Sequence, residues 1–134
     1  MYKGSCLCGT IKIEISGDIK AVTHCHCKIC QKAHGAAFAT FAASRDEHFA
    51  IVQGESSLKS YESSPGYVRT FCVHCGSNIQ WIHDFGYNSG WSSFALSLLD
   101  TPFYRNKQKH IYTDFKAPWL SLCDNHPKHG GSGN

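Results

Sequence analysis

Residues 24–30 read HCHCKIC and place three cysteines and two histidines within seven positions. A structural zinc site is normally closed by four protein ligands, whereas a catalytic zinc site has three protein ligands and one open position. The stretch is therefore one thiol short of a closed site. Either the fourth ligand comes from elsewhere in the chain, or the position is left open for a reactant, and the remaining cysteines decide between these alternatives.

Four of the other cysteines form two half-sites. CLCG at 6–9 and CVHCG at 72–76 each place two thiols close together before a glycine, and such a turn can bind one metal through both sulfurs. Two half-sites together predict a closed four-sulfur zinc. The predicted ligands are Cys6, Cys8, Cys72 and Cys75 for a structural zinc, and Cys25, Cys27 and Cys30 for a second, catalytic-type zinc. A different grouping, in which Cys6 and Cys8 close the second site, stays open at this point, and Cys123 has no predicted role.

Three histidines near the second site are predicted proton carriers, because imidazole is the side chain that titrates near neutral pH. His24 and His26 flank Cys25 in the chain. His34 follows Cys30 by four residues, so both would share one face of a helix. The alternative for each histidine is a solvent-exposed position or a purely structural hydrogen bond.

The pattern outside the cysteine motifs is typical of a mainly β chain. TIKIEIS at 10–16 alternates apolar and polar residues, as a half-buried strand does. The one predicted helix covers 28–34 and ends at Gly35, which suits a C-cap. We predict a single domain over 1–127, built as a small zinc-bearing β fold of two or more antiparallel sheets with that short helix, and a flexible tail at 128–134. Further strands are predicted at 36–42, 48–53, 68–72, 77–83, 93–97 and 110–115.

Charge and hydropathy argue against nucleic acid and membranes as partners. The formal net charge is +3, and seven thiolates with two zinc ions would bring it to zero, so the basic balance is no sign of nucleic-acid binding. No apolar stretch approaches the ~20 residues that span a bilayer, and the first residues do not resemble a secretory signal. We expect a cytoplasmic protein, where a reducing environment makes metal binding a better explanation of eight cysteines than disulfides. The sequence makes no prediction of oligomeric state.

Four segments resemble, in order, the glutathione-dependent formaldehyde-activating enzyme family, which includes the centromere protein V group. They are GSCLCG at 4–9, HCHCKICQKAHGAAF at 24–38, YESSPGYVRTFCVHCGSNI at 61–79 and HIYTDFKAPW at 110–119. The resemblance extends over roughly residues 4–127. The chain departs from the family pattern at Ser97, where glycine is usual, and at His126-Pro127, where Leu-Pro is usual.

The resemblance implies a fold similar to that of a Rab-interacting exchange factor, with both zinc sites as grouped above. It also implies a carbon–sulfur lyase that joins glutathione and formaldehyde to S-hydroxymethylglutathione, or runs the reverse. Glutathione carries two carboxylates, for which Lys28, Arg69 or backbone N–H groups at the helix start are candidate partners. The alternatives are a non-catalytic zinc module that binds a protein or chromatin partner, and a simple thiol or metal buffer.

Overall fold

The computed structural model describes residues 1–83 and 90–134, and within them the chain is mainly β with two sheets and one α-helix. The chain divides into two compact units: Met1–Lys20 with Ala42–Phe103, and Ala21–Phe41 with Tyr104–Asn134. No helix in these ranges is long and apolar enough to cross a membrane. The strands are β1 Tyr2–Ser5, β2 Lys12–Ile15, β3 Lys20–Cys25, β4 Ala39–Arg45, β5 Phe49–Gln53, β6 Leu58–Ser64, β7 Tyr67–Cys72, β8 Asn78–His83, β9 Trp91–Ala95 and β10 Gln108–Ile111; the helix is α1 Lys28–His34.

The first unit contains two groups of antiparallel strands. Strand β2 lies between β1 and β5, and its alternating pattern buries Ile13 and Ile15 while Lys12 is exposed, as the period-two pattern predicts. Strands β6, β7, β8 and β9 pair consecutively. Pro65 and Gly66 form the tight connection between β6 and β7, and Gly66 takes a φ of 80° that suits glycine.

The second unit holds α1, β3, β10 and the first residues of β4. Helix α1 covers 28–34 as predicted and ends at Gly35, whose φ of 57° and ψ of 44° are those of a left-handed C-cap. Strand β10 pairs with β3 in parallel, so this part of the sheet is not antiparallel. The strand predicted at 110–115 ends at Ile111, because Tyr112 adopts a φ of 54° and turns the chain into a 3-10 turn at 113–115.

The end of the chain is hydrogen-bonded to β10 and the residues that follow it. The His129 amide donates to the His110 carbonyl at 2.9 Å, and the Tyr112 amide donates to the Gly131 carbonyl at 2.8 Å. A flexible tail at 128–134 and a single domain over 1–127 stay predictions.

Candidate functional site

Four thiols meet in the first unit with the spacing of a tetrahedral metal site. The Sγ atoms of Cys6, Cys8, Cys72 and Cys75 all lie within 4.8 Å of one another. Cys8 Sγ is 3.6 Å from that of Cys6 and 3.8 Å from that of Cys72. A tetrahedron with zinc–sulfur bonds of about 2.3 Å has edges of about 3.8 Å, so these four residues fit a metal ion. The alternative grouping, in which Cys6 and Cys8 close the second motif, is wrong.

Two glycines shape the turns that carry these thiols. Gly9 has a φ of 80° and donates its amide to the Cys6 carbonyl at 3.0 Å; Gly76 has a φ of 75° and donates to the Cys72 carbonyl at 2.8 Å. A Cβ at either glycine would meet nothing within 4 Å. The left-handed conformation, rather than lack of space, is therefore what requires glycine after each cysteine pair.

Hydrogen bonds already favour the thiolate at two of these four cysteines. Contacts with the hydroxyl and amide of Ser77 lower the pKa of the Cys75 thiol to about 5, and contacts with Thr10 lower the pKa of Cys8. Burial instead raises the pKa of Cys72 to about 11. A divalent cation among the four sulfurs would favour the ionised form of all of them, which is the form that binds metal.

Three thiols meet in the second unit. The Sγ atoms of Cys25, Cys27 and Cys30 lie within 4.8 Å of one another, and no further His, Cys, Asp or Glu of residues 1–83 and 90–134 joins the group at that spacing. Cys27 is the N-cap of α1, where its sulfur accepts the Cys30 amide at 3.3 Å. Hydrogen bonds with the Cys27 and Cys30 thiols, together with burial, raise the pKa of Cys25 far above its ordinary range. The three thiols fit one metal ion that also takes a ligand from outside the group.

The wall of this three-cysteine group is apolar. Cys25 and Cys30 are 7% and 4% exposed and form a buried cluster with Ala39, against which the half-buried side chains of Phe41 and Tyr112 pack. The left-handed φ of Tyr112 is uncommon for a residue with a side chain. The site therefore combines sulfur ligands with aromatic surface.

His24 lies on the opposite face of the sheet from the Cys25 thiol. In the parallel pair, His110 is the register partner of His24, and Ile111 is the partner of Cys25. Successive strand residues point to opposite faces, so the imidazole of His24 packs against that of His110, with 4.8 Å between ring centroids, while Cys25 packs against Ile111. The ring of His26 also packs against His110, at 5.0 Å, and the structure places neither histidine in the three-cysteine group.

Both ring nitrogens of His24 have fixed partners. Nδ1 lies 2.8 Å from the Thr40 hydroxyl, and Nε2 lies 2.7 Å from Gln108 Oε1. The Gln108 amide nitrogen donates to the Arg105 carbonyl at 2.8 Å, which fixes Oε1 as the acceptor and Nε2 of His24 as the donor. Burial lowers the pKa of His24, so the neutral form is favoured.

His26 belongs to a hydrogen-bonded array with two residues that the sequence did not single out. His26 Nε2 lies 2.8 Å from His110 Nδ1, and His110 Nε2 lies 2.8 Å from Asp124 Oδ2. Burial, and then the neighbouring His110, lower the pKa of His26 to about 4. The hydrogen bond from His110 holds the pKa of Asp124 well below its usual range, so the carboxylate stays ionised.

The comparisons with known proteins identify the family of this chain. A family model described as glutathione-dependent formaldehyde-activating enzyme matches residues 1–114. The chain belongs to this family. A solved crystal structure of a Rhodobacter sphaeroides protein, a Northeast Structural Genomics target, is 23% identical with a TM-score of 0.58 and covers 75% of this chain and 90% of that chain, which supports the fold alone. The comparison with curated proteins gives no match.

His34, unlike His24, lies on the side of the sheet that carries the Cys25 thiol. It follows Cys30 by one helical turn in α1, and its ring contacts the edge of Phe41 with 5.2 Å between centroids. Phe41 in turn packs against the cluster that contains Cys25 and Cys30. Among the three predicted proton carriers, His34 is the one linked by packing to the thiols.

The two predicted carboxylate partners belong to different units. Lys28 is the exposed first residue of α1, and its ammonium lies 3.5 Å from Gln31 Oε1. Arg69 is a 7% exposed residue of β7 whose Nε donates to the Ser63 hydroxyl at 3.1 Å. Lys28 shares a unit with the three-cysteine group, whereas Arg69 shares a unit with the four-cysteine group.

Proposed function

We propose that this chain is a zinc-dependent carbon–sulfur lyase that acts on a thiol–aldehyde adduct, most simply glutathione and formaldehyde forming S-hydroxymethylglutathione. The observation that carries the proposal is the contrast between the two cysteine groups. Four thiols would satisfy a tetrahedral ion, whereas no further His, Cys, Asp or Glu of the described residues joins the three thiols, so the fourth position would be available to a substrate. Family membership supplies the class of reaction.

We propose two zinc ions per chain, one structural in the four-cysteine group and one catalytic in the three-cysteine group. Zinc bound to Cys25, Cys27 and Cys30 would supply a binding position for the substrate thiol in its thiolate form and, more weakly, a Lewis acid for the carbonyl oxygen. The aromatic side chains of Phe41 and Tyr112 would cover part of the reacting centre, because they already pack against this cluster.

The reaction needs one proton to move without net gain or loss. When the sulfur–carbon bond forms, the carbonyl π bond opens and the thiol proton must end on the new hydroxyl oxygen. We propose that a histidine accepts and returns this proton, with His34 favoured over His24 and His26 because it contacts Phe41 on the side of the cysteines. Replacing His34 by Gln should lower kcat about 100-fold, whereas His24→Gln should lower it much less. A larger loss of kcat in His24→Gln than in His34→Gln would assign the proton transfer to the opposite face of the sheet.

Lys28 and Arg69 are the proposed partners of the substrate carboxylates. Lys28 is the better placed, since it is exposed and starts the helix that carries Cys30. A group that binds substrate and transition state equally changes KM rather than kcat. Lys28→Ala should therefore raise KM for glutathione several-fold with kcat nearly unchanged, and Lys32→Ala, an exposed lysine in the last turn of α1, serves as the matched control.

Exchange spectroscopy on a glutathione–formaldehyde mixture tests the proposal as a whole. The zinc-loaded protein should speed the exchange between free thiol and hydroxymethyl adduct. Cys30→Ser should abolish that increase, and Cys123→Ser, at an exposed cysteine outside both groups, should keep it. Equal rates with and without protein would refute the lyase and support the non-catalytic zinc module. We further propose action in the cytoplasm, where a reducing environment keeps the thiols available for metal.

A further inference from the structure

A buried array of three side chains lies behind the segment that carries two of the three cysteines. His26 is fully buried and His110 is 1% exposed, whereas the Asp124 side chain is 39% exposed and ends the array at the surface. The two hydrogen bonds that join them are both 2.8 Å long. His110 and Asp124 have no part in the proton transfer or the substrate binding proposed above.

When both imidazoles are neutral, the hydrogen bonds of the array assign one proton to each ring. An ionised carboxylate only accepts hydrogen bonds, so His110 Nε2 must be the donor to Asp124. The other nitrogen of a neutral His110 is then an acceptor, and His26 Nε2 must donate to it. His26 Nδ1 is left with a lone pair, and it has no hydrogen-bond partner among residues 1–83 and 90–134.

The backbone of His26 is held as firmly as its ring. Its amide donates to the Ile111 carbonyl at 3.0 Å, and its carbonyl accepts the side-chain amide of Gln31 at 2.6 Å. His26 lies directly between Cys25 and Cys27 in the chain. The ring and both backbone polar groups of His26 are therefore hydrogen-bonded, so the residue that joins the two ligand-bearing cysteines is anchored at three points.

We propose that Asp124 and His110 are positioning residues of the three-cysteine metal site, which hold His26 in its Nε2–H tautomer and thereby fix the spacing of the Cys25 and Cys27 sulfurs. The inference rests on the metal site of the proposed function. Metal ligands must lie within a few tenths of an ångström of their ideal distances, and the residues that orient them commonly change metal affinity by 10–100-fold. An Asp–His pair usually orients a histidine ligand; here it orients the residue between two cysteine ligands.

Two variants break the array at different points. Asp124→Asn replaces the obligate acceptor by an amide that can also donate, which allows the other tautomer of His110. His110→Phe keeps an aromatic ring but removes the acceptor of His26. The matched control is Lys128→Ala, because the Lys128 ammonium contacts Asp124 Oδ1 at 3.2 Å and leaves the oxygen that faces His110 untouched.

The closing experiment measures zinc release and tautomers rather than activity. Zinc-loaded full-length protein is titrated with a chelator, and the four-cysteine group in the same molecule serves as an internal standard. We expect Asp124→Asn and His110→Phe to weaken zinc binding at the three-cysteine group about 10-fold, with unchanged binding at the other group and in Lys128→Ala. Long-range ¹H–¹⁵N spectra of the wild type should show the proton of His26 on Nε2, and Asp124→Asn should shift that assignment.

Three results would overturn the inference. Unchanged zinc release in both variants would show that the array does not position the site. Equal weakening at both cysteine groups would show a general loss of structure instead, and a wild-type His26 protonated on Nδ1 would contradict the tautomer on which the argument stands. A wild type that releases only one zinc ion would refute the proposed function itself, whereas two ions with unchanged release in the variants refute the positioning role alone.

Discussion

The two cysteine groups should contribute very differently to folding stability, although each fits one metal ion. The four-cysteine group joins Cys8 to Cys72, which are 64 residues apart. The three-cysteine group spans only the six residues from Cys25 to Cys30. A cross-link that closes a longer loop removes more entropy from the unfolded chain, in proportion to the logarithm of the loop length.

The difference can be estimated from these separations. With loop lengths of about 64 and about 5 residues, the entropic term favours the longer cross-link by about 2 kcal/mol. For a chain of this size, that free energy corresponds to a difference in Tm of roughly 6–10 °C. The estimate holds only if the substitutions cost the same in packing, so the variants have to be matched in burial.

The chain offers such a matched pair. Cys72 and Cys30 are 0% and 4% exposed, and Cys75 and Cys27 are both half-buried. We compare Cys72→Ala/Cys75→Ser with Cys30→Ala/Cys27→Ser, where serine at 27 keeps an N-cap acceptor for α1. Thermal unfolding of the zinc-loaded proteins, followed by circular dichroism, should show the larger loss of Tm in the first variant. Equal losses, or a larger loss in the second, would refute the loop argument.

Three further predictions concern single positions. Ala21 is exposed and has a φ of 55°, so Ala21→Gly should remove strain and raise the free energy of unfolding by up to about 1 kcal/mol in urea melts. Gln31→Leu removes the donor to the His26 carbonyl and should lower stability by about 1–3 kcal/mol in the same assay. The hydrogen bond with His110 lowers the pKa of Asp124 in the folded protein. The free energy of unfolding that the Asp124 carboxylate contributes is therefore fully present above the ordinary carboxyl pKa of about 3.9, and it is lost as the pH falls through the lowered pKa of the folded protein. The stability advantage of wild type over Asp124→Asn should therefore shrink on acidification, and a constant difference would contradict it.

Local signals in the sequence were sufficient for the helix and for the grouping of the thiols. The helix over 28–34 was predicted to the residue, because Gly35 supplies a left-handed C-cap that no longer-range contact has to enforce. The pairing of CLCG with CVHCG followed from two short turns of matching chemistry. In both cases the signal lies in a few neighbouring residues.

Elements without a local signal were missed. Strand β6 was not predicted, since residues 59–62 are all exposed and the segment lacks the apolar alternation of a half-buried strand. Strand β3 was not predicted because its last residues belong to the cysteine motif. The strand alternation that places His24 and the Cys25 thiol on opposite faces was therefore missed as well. The left-handed Tyr112, which ends β10, has no sequence signal at all, because a non-glycine residue takes that conformation only when its surroundings require it.

The two metal groups also differ in what holds their geometry. In the four-cysteine group the glycine turns at Gly9 and Gly76 shape two cysteine pairs that come from distant chain segments, so a bound ion and the fold would depend on each other. In the three-cysteine group the thiols are already neighbours in sequence, so α1 and, in the positioning role proposed above, the His26–His110 hydrogen bond would hold them without a closed loop. An ion held in this second way can change its fourth ligand without loosening the fold, which is what turnover of a bound thiol requires.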